Sequence, residues 1–434
     1  MFGILIVMEC CAVSLEKIDV DQLQVGHYIR LDGSWTDCPF MFRSFKIKTE
    51  KQIRLIKGLG VELILYDPSR SDIKVSQPVQ ATPEIASVDS DEEVQEENTE
   101  LLIEEAFQEK TKRIKLLKER RVSLNRCEKA FTESVGAVKN LVSSFQARPK
   151  ESLAIAETLV EDIVGDILKD QNSTMQLVNM KGQEEGSYFH IINVTMLSLI
   201  IGKQLGLSEE EMNYLGVGAM LHDFGMLKVP TKISRKTSAF TAVEKKVYEL
   251  HPRYGAEIVR KLDQLPKAVI QIIEQHHEYE DGTGYPYQLT SEKIGKLSKI
   301  VVVATAYDDL CNCPRNKKLL TPYEAMSLMF SQTKFDKKIL SIFINKLGVY
   351  PPGTLVRLSN DLVAGVTAVN HDDLLNPHVV VYDEDIPKEE AAIIDLSEED
   401  VTIKETIRRN EVSANVLSYL NFGDSINYFI DPGN

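Results

Sequence analysis

Surplus positive charge is missing from this 434-residue chain: Lys and Arg total 50 against 65 Asp and Glu, for a net charge of −15. So acidic a surface is a poor match for polymeric nucleic acid, whose phosphates demand a broad basic face. An anionic ligand must instead be held by a local cationic site or by metal. Cysteine is scarce: Cys10, Cys11, Cys38, Cys127, Cys311 and Cys313 are the six, and none stands in CxxC spacing. That excludes a disulfide framework and fits a reducing compartment. Long apolar runs are also lacking. The opening stretch Met1–Met8 has no positively charged lead-in, and no run reaches the ~18 residues of a membrane span. Neither a signal peptide nor a transmembrane helix is expected.

What remains is ordinary globular composition, 43% hydrophobic and 26% charged, long enough for two to four domains at ~100–200 residues each. A small α+β unit is read over residues 1–78. Ile29, Phe40, Phe42, Phe45, Ile47, Ile53, Ile56, Leu59, Val61 and the Leu63-Ile64-Leu65 run form its core, with short alternations around one helix at Glu50 to Leu59. Apolar content collapses over 79–100, where Asp89, Asp91, Glu92, Glu93, Glu96 and Glu97 suggest a solvated linker. A long helix is expected over 101–148, because Ile103, Phe107, Ile114, Leu117, Leu124, Phe131, Val135, Val138 and Val142 fall on one stripe. Two readings stay open there: packing on the chain's own domain, or a coiled-coil homodimer through residues 101–145. Helical periodicity dominates 149–348. Residues 349–434 read as a short β appendage and a tail that says nothing about chemistry.

Five of the eight histidines fall between positions 190 and 277: His190, His222, His251, His276 and His277. His222-Asp223 follows the apolar run Val217–Leu221 and precedes Phe224-Gly225, placing the pair at a helix end. His276-His277 closes a second apolar helix and precedes the turn Asp281-Gly-Thr-Gly-Tyr-Pro286. Imidazole and carboxylate donors suit Fe, Mn, Zn or Ni, and a carboxylate can bridge two ions where imidazole cannot. Paired ions ~3.5–4 Å apart stabilise both the attacking and the leaving oxygen of a phosphoryl displacement.

Taken together, His190, His222-Asp223, His251-Pro-Arg-Tyr-Gly255, His276-His277 and the Gly284-Tyr285-Pro286 loop resemble the HD-GYP family, a branch of the HD phosphohydrolases. Residues 14–70, including Trp35-Thr-Asp-Cys-Pro-Phe40, look like the small domain often found ahead of such domains. The resemblance implies a mainly α fold: an HD-type helical bundle, preceded by the small α+β domain and followed by the β appendage. It implies two divalent ions, Fe or Mn with Zn and Ni as alternatives. His190, His222 and Asp223 would hold one; His251, His276 and His277 the other, with Asp223 bridging. His222 and Asp223 would be catalytic, and a hydroxide between the ions would attack phosphorus in line. The implied substrate is cyclic di-GMP, cut to pGpG and onward to GMP in a bacterial cytoplasm. Lys236 and Lys317 match positions that contact the substrate phosphate, and the Gly-Tyr-Pro loop is implicated in contacts with diguanylate cyclase domains.

Three positions depart from the family pattern. Met226 replaces a lysine that contacts phosphate, Thr305 replaces a metal-binding aspartate, and Pro314 replaces an arginine, with Arg315 adjacent. A thioether donates no proton and a neutral hydroxyl is a weak ligand, so the ion at His190 and His222 should bind less tightly. Lys228 is a poor stand-in for the lost lysine, whereas Asp309 offers a carboxylate near Thr305. These departures leave a second reading open: a catalytically silent module that binds cyclic di-GMP or a partner protein. A third is hydrolysis of another cyclic dinucleotide.

Overall fold

The structure, a computed structural model, describes residues 15–32, 38–40, 43–73, 91–169, 175–178, 186–313, 315, 319–384, 386, 388, 391, 393–399, 401–422 and 425–430. The Trp35-Thr36-Asp37 part of the N-terminal motif, Pro314 and Lys317 lie outside these residues, as do Met1–Met8 and most of the expected linker. The chain forms two compact units, 1–118 and 119–434.

In the first unit, strands β1 (Glu16–Asp19), β2 (Tyr28–Arg30), β3 (Ser44–Lys46) and β4 (Leu63–Tyr66) form an antiparallel sheet in the order β1-β4-β2-β3. Helix α1 (Glu50–Gly58) starts at Thr49, whose side chain accepts from the Gln52 N–H while Gln52 reaches back, a reciprocal cap. Ile18, Ile29, Ile47, Ile53, Ile56, Ile64 and Tyr66 fill the core between helix and sheet.

Helix α2 (Asp91–Ser144) begins ten residues before the expected start, inside the stretch read as linker. Acidic sequence has two physical readings: it resists burial, and it also suits the first turns of a helix, where exposed N–H groups favour negative charge. In the second unit, α2's apolar stripe is taken up by the chain itself, since Cys127, Phe131, Val135, Val138 and Leu141 are all buried in its core. That half of the stripe therefore offers no coiled-coil seam. The side chains of Ile114 and Leu117 fall outside the described set.

Around this core pack α3 (Pro149–Lys169), strand β5 (Met175–Val178), α4 (Gly186–Gln204) and α5 (Glu209–Leu221). Short helices α6 (Thr231–Ser234) and α7 (Ala242–Tyr248) lead into α8 (His251–Arg260) and α9 (Lys267–Gln275). The bundle closes with α10 (Lys296–Asn312), α11 (Pro322–Phe330) and α12 (Lys337–Leu347). Helix α4 is hydrophobic nearly all round and is buried from Ile191 to Gly202, which makes it the central rod of the bundle.

Strands β6 (Leu355–Leu358), β7 (Val363–Ala368), β8 (His378–Val381), β9 (Ile393–Asp395) and β10 (Ile403–Ile407) form a five-stranded sheet in the order β10-β6-β7-β8-β9. After helix α13 (Ala414–Tyr419), strand β11 (Asn427–Ile430) leaves that sheet and pairs antiparallel with β5, Asn427 opposite Val178 and Ile430 opposite Met175. Among the described residues, no helix is long and apolar enough to cross a membrane.

Candidate metal centre

Helix ends bring the donors together. His190 rides in the first turns of α4, His222 caps the end of α5, His251 opens α8 and His276 caps the end of α9, with His277 following. Asp223 starts the 3-10 turn Phe224–Lys228. Gly225 fixes where that turn meets α8: a Cβ there would stand 1.8 Å from the His251 carbonyl oxygen and 2.6 Å from the Gly255 nitrogen. Only hydrogen fits in that space, so backbone contact sets the distance between Asp223 and His251.

Each oxygen of Asp223 faces a different set of rings. Its Oδ1 lies 3.2 Å from His251 Nε2 and 3.8 Å from His276 Nε2. Its Oδ2 lies 3.7 Å from His222 Nε2 and 3.9 Å from His190 Nε2. Two groups of donor atoms result, Asp223 with His251, His276 and His277, and Asp223 with His190 and His222, each with its atoms within 4.8 Å of one another. The residues that the resemblance implies as ligands are thus brought together in two groups, with Asp223 common to both.

The other ring nitrogens are already committed. His222 Nδ1 lies 2.5 Å from the Ala219 carbonyl, His251 Nδ1 2.8 Å from that of Tyr248, and His276 Nδ1 2.9 Å from that of Ile273. A carbonyl only accepts, so each Nδ1 carries the proton and each Nε2 presents a lone pair. Two such lone pairs meet where His251 and His276 approach Nε2 to Nε2 at 3.1 Å; with no proton between them the contact is repulsive, and a cation between the rings relieves it. His190 and His222 likewise meet Nε2 to Nε2, at 3.2 Å. The donor set therefore fits divalent metal, as nitrogen and carboxylate chemistry requires.

Electrostatics agree. Burial, with neighbouring imidazoles, drives His222 down to about 4 and His276 and His277 well below the usual histidine range, so all three are neutral ligands near neutral pH. Burial opposes ionisation of Asp223, but His222 and His251 outweigh it and hold the carboxyl well below the ordinary aspartate value. His190 differs: burial pulls it down, yet Asp308 Oδ2, 2.6 Å from its Nδ1, pushes it up to about 9. A carboxylate on the far nitrogen orients the ring and makes it a more basic ligand. His222 and His251 are fully buried, whereas the His190 and Asp223 side chains are 16% and 24% exposed. The centre opens to solvent on their side.

The Gly-Tyr-Pro loop lies against the His251 group. Tyr285 stacks on His277 with ring centres 4.6 Å apart, and its N–H donates to the His277 carbonyl. A Cβ on Gly284 would come within 2.4–2.5 Å of the backbone of His277, Glu278 and Tyr279. Turn geometry is therefore only part of why glycine stands there; close approach to the ligand-bearing segment is the rest. Fully buried Glu278 accepts from the N–H groups of Tyr287 (2.6 Å) and Leu289 (2.8 Å), pinning the loop's far side.

The cations near the centre are engaged by the protein's own groups. Lys236 is bound to Glu244 at 2.6 Å, which engages its charge within the short helical segment itself. Lys228 turns to Glu257 at 3.3 Å. Arg315 donates to the Tyr248 hydroxyl at 2.7 Å, its guanidinium 4.7 Å from that ring and 5.5 Å from Phe240. Tyr248 in turn packs on His251, ring centres 5.0 Å apart. Asp308, rather than the anticipated Asp309, is the α10 carboxylate that meets a histidine. Burial, with Asp308 and Asp223 adding to it, pushes Asp309 up to about 6. Thr305, a turn earlier, is buried with an unpartnered hydroxyl.

Sequence reasoning passed over Asp308, Glu278 and the tail. The first two carried a signal, each being an acid within an otherwise apolar helical pattern or beside a ligand. The tail carried none, yet Ile426 and Tyr428 bond to the asparagines that hold Asp308.

Comparison with known proteins places these features in a lineage. Residues 15–156 match a domain of unknown function, DUF3391, and residues 162–339 match the HD domain. The chain is 28% identical over 373 residues to the cyclic di-GMP phosphodiesterase PA4108 of Pseudomonas aeruginosa, covering 85% of each chain. It is 27% identical over 229 residues to the cyclic di-GMP phosphodiesterase PdeB of Borreliella burgdorferi, covering 51% of this chain and 60% of that one. Among solved structures, Bd1817, an HDG"Y"P protein from Bdellovibrio bacteriovorus, aligns over 76% of this chain and 98% of its own at 16% identity, with a TM-score of 0.41. Every converging histidine, Asp223 and the Gly284-Tyr285-Pro286 loop fall inside residues 162–339, so the centre lies within the segment of this chain that is an HD domain.

Proposed function

We propose that this chain is a metal-dependent phosphodiesterase that opens cyclic di-GMP to pGpG and carries it onward to GMP. One observation supports the reading above others: the two oxygens of a single buried-edge carboxylate, Asp223, each face a separate set of imidazole lone pairs. His190, His222 and Asp223 would hold one divalent ion, and His251, His276, His277 and Asp223 the other. Bound there, a pair of ions supplies Lewis-acid stabilisation of phosphoryl oxygens and acidifies water. Fe or Mn suits the mixed nitrogen and oxygen donors, with Zn and Ni as alternatives.

The protein's own groups do the rest. Asp308 orients His190, the carbonyls of residues 219, 248 and 273 fix the other rings, and Tyr285 shields His277. Arg315, resting on Tyr248 beside His251, supplies the phosphate contact, since Lys236 is tied to Glu244. A guanidinium offers paired donors that match a phosphate edge.

The test is anaerobic loading of purified chain with Fe(II) or Mn(II), followed by chromatographic separation of products from cyclic di-GMP. Loss of the messenger with pGpG appearing first, and faster turnover by the Met226→Lys, Thr305→Asp double variant, is the expected result. Messenger that binds yet survives prolonged incubation overturns it. That outcome would favour the binding-only module to which neutral Met226 and Thr305 point. Parallel incubation with 3′3′-cGAMP separates a different cyclic-dinucleotide specificity from inactivity.

A further inference from the structure

Strand β11 reaches the metal centre from behind. Asp308 Oδ1 accepts from Asn193 Nδ2 at 2.7 Å and from Asn312 Nδ2 at 2.9 Å, while its Oδ2 meets His190. Both asparagines are also bound to the chain's last described segment. Asn312 Nδ2 donates to the Ile426 carbonyl at 2.8 Å, and its Oδ1 accepts from the Ile426 N–H at 2.8 Å. Asn193 Nδ2 donates to the same carbonyl at 3.1 Å, and its Oδ1 accepts from the Tyr428 N–H at 3.1 Å. Behind these, the Tyr428 hydroxyl lies 2.8 Å from that of Tyr307 and donates to the Pro352 carbonyl. Asn193 and Asp308 are buried and Asn312 is half-buried, so water does not readily replace the bond between Asn193 and Asp308.

An amide has one acceptor and one two-proton donor end. Because Asn193 and Asn312 each place the acceptor on an N–H of the 426–428 backbone, their donor ends are fixed in the direction of Asp308. Backbone 426–428 therefore sets the orientation of both asparagines, which set Asp308, which sets His190. We infer that residues 426–428 are a positioning element for one half of the metal centre, holding His190 in ligating geometry through Asn193, Asn312 and Asp308. The inference rests on the metal-centre reading of the previous subsection. Its reach is confined to the His190–His222 side, because His251 and His276 take their orientation from carbonyls of Tyr248 and Ile273 and owe nothing to the tail.

Binding linkage supplies the test, since coupling between two sites is reciprocal. In the full chain, Mn(II) titration followed by electron paramagnetic resonance should resolve two binding steps. Asn312→Ala, with Asn193→Ala as the second variant, should weaken one step by about 10–100-fold and leave the other within a factor of two, at an unchanged far-UV circular dichroism spectrum. Conversely, saturating the unaltered chain with Mn(II) should slow hydrogen exchange in the 425–430 peptide at least about tenfold, with no change in a peptide from β7 and β8. Equal weakening of both steps, no weakening of either, or exchange in 425–430 that ignores a bound ion overturns the inference while the metal centre stands. An unaltered chain that takes up no ion overturns both.

Discussion

Among the described residues, Asp223 is the side chain common to both imidazole sets, because each of its oxygens faces a different set. Asp223→Asn keeps the shape and removes the charge, so the effect isolates electrostatics. Metal content should fall at both positions together, and turnover should drop by about 10²–10³ or more. Inductively coupled plasma measurement of ions per chain checks the first and product formation the second; a variant that keeps both ions removes Asp223 from the bridging role. At this scale the sequence was most informative for the ligands themselves, because His and Asp in that order have few other uses. It was silent on Asp308, Asn193 and Asn312. Apart from the Asn312–Asp308 bond within one helix, their partners lie more than a hundred residues away along the chain, and an acid or amide on a helix looks the same whether it faces water or a histidine.

Helix ends, more than helix middles, build this centre. Reciprocal caps at Ser208/Glu211, Thr241/Glu244 and Thr321/Glu324 fix where α5, α7 and α11 start, and that signal is local enough to read directly. Glu244 shows the limit of such reading. It caps α7 and also holds Lys236, so a lysine expected to meet substrate is engaged within its own segment. The loop after α9 depends on one residue in the same way. Glu278→Ala removes the acceptor for the Tyr287 and Leu289 N–H groups and should cost about 1.5–3 kcal/mol. Urea denaturation measures this, and faster proteolysis within 281–289 should accompany it. A variant with undiminished stability would show that the loop is held by its glycines and the stacked Tyr285 alone.

Across the whole second unit, the centre joins α4, α5, α8 and α9 at their ends, so ion binding ties together segments that are distant in sequence. Anything bound to the folded state alone stabilises it by mass action. Chelation should therefore lower the melting temperature, and excess Mn(II) should restore it, as scanning calorimetry would show; indifference to both would argue against a centre that bridges helices. The order of the helices and the general place of the β appendage follow from periodicity, which is a local property. The pairing of β11 with β5 does not, since Asn427 and Val178 are brought together only by the completed fold. For that reason a tail with no visible motif proved to be built into the bundle.

A timing consequence follows from where that strand stands in the chain. Residues 427–430 leave the ribosome after every helix that carries a donor. His190 is thus among the first ligands to be made, and its alignment among the last details to be settled. On the two-ion reading proposed above, the bundle that emerges before Tyr428 is made would hold only the ion of the His251 side with full strength. A nascent chain would then capture its metals in sequence, beginning with the half whose rings are steered by neighbouring carbonyls.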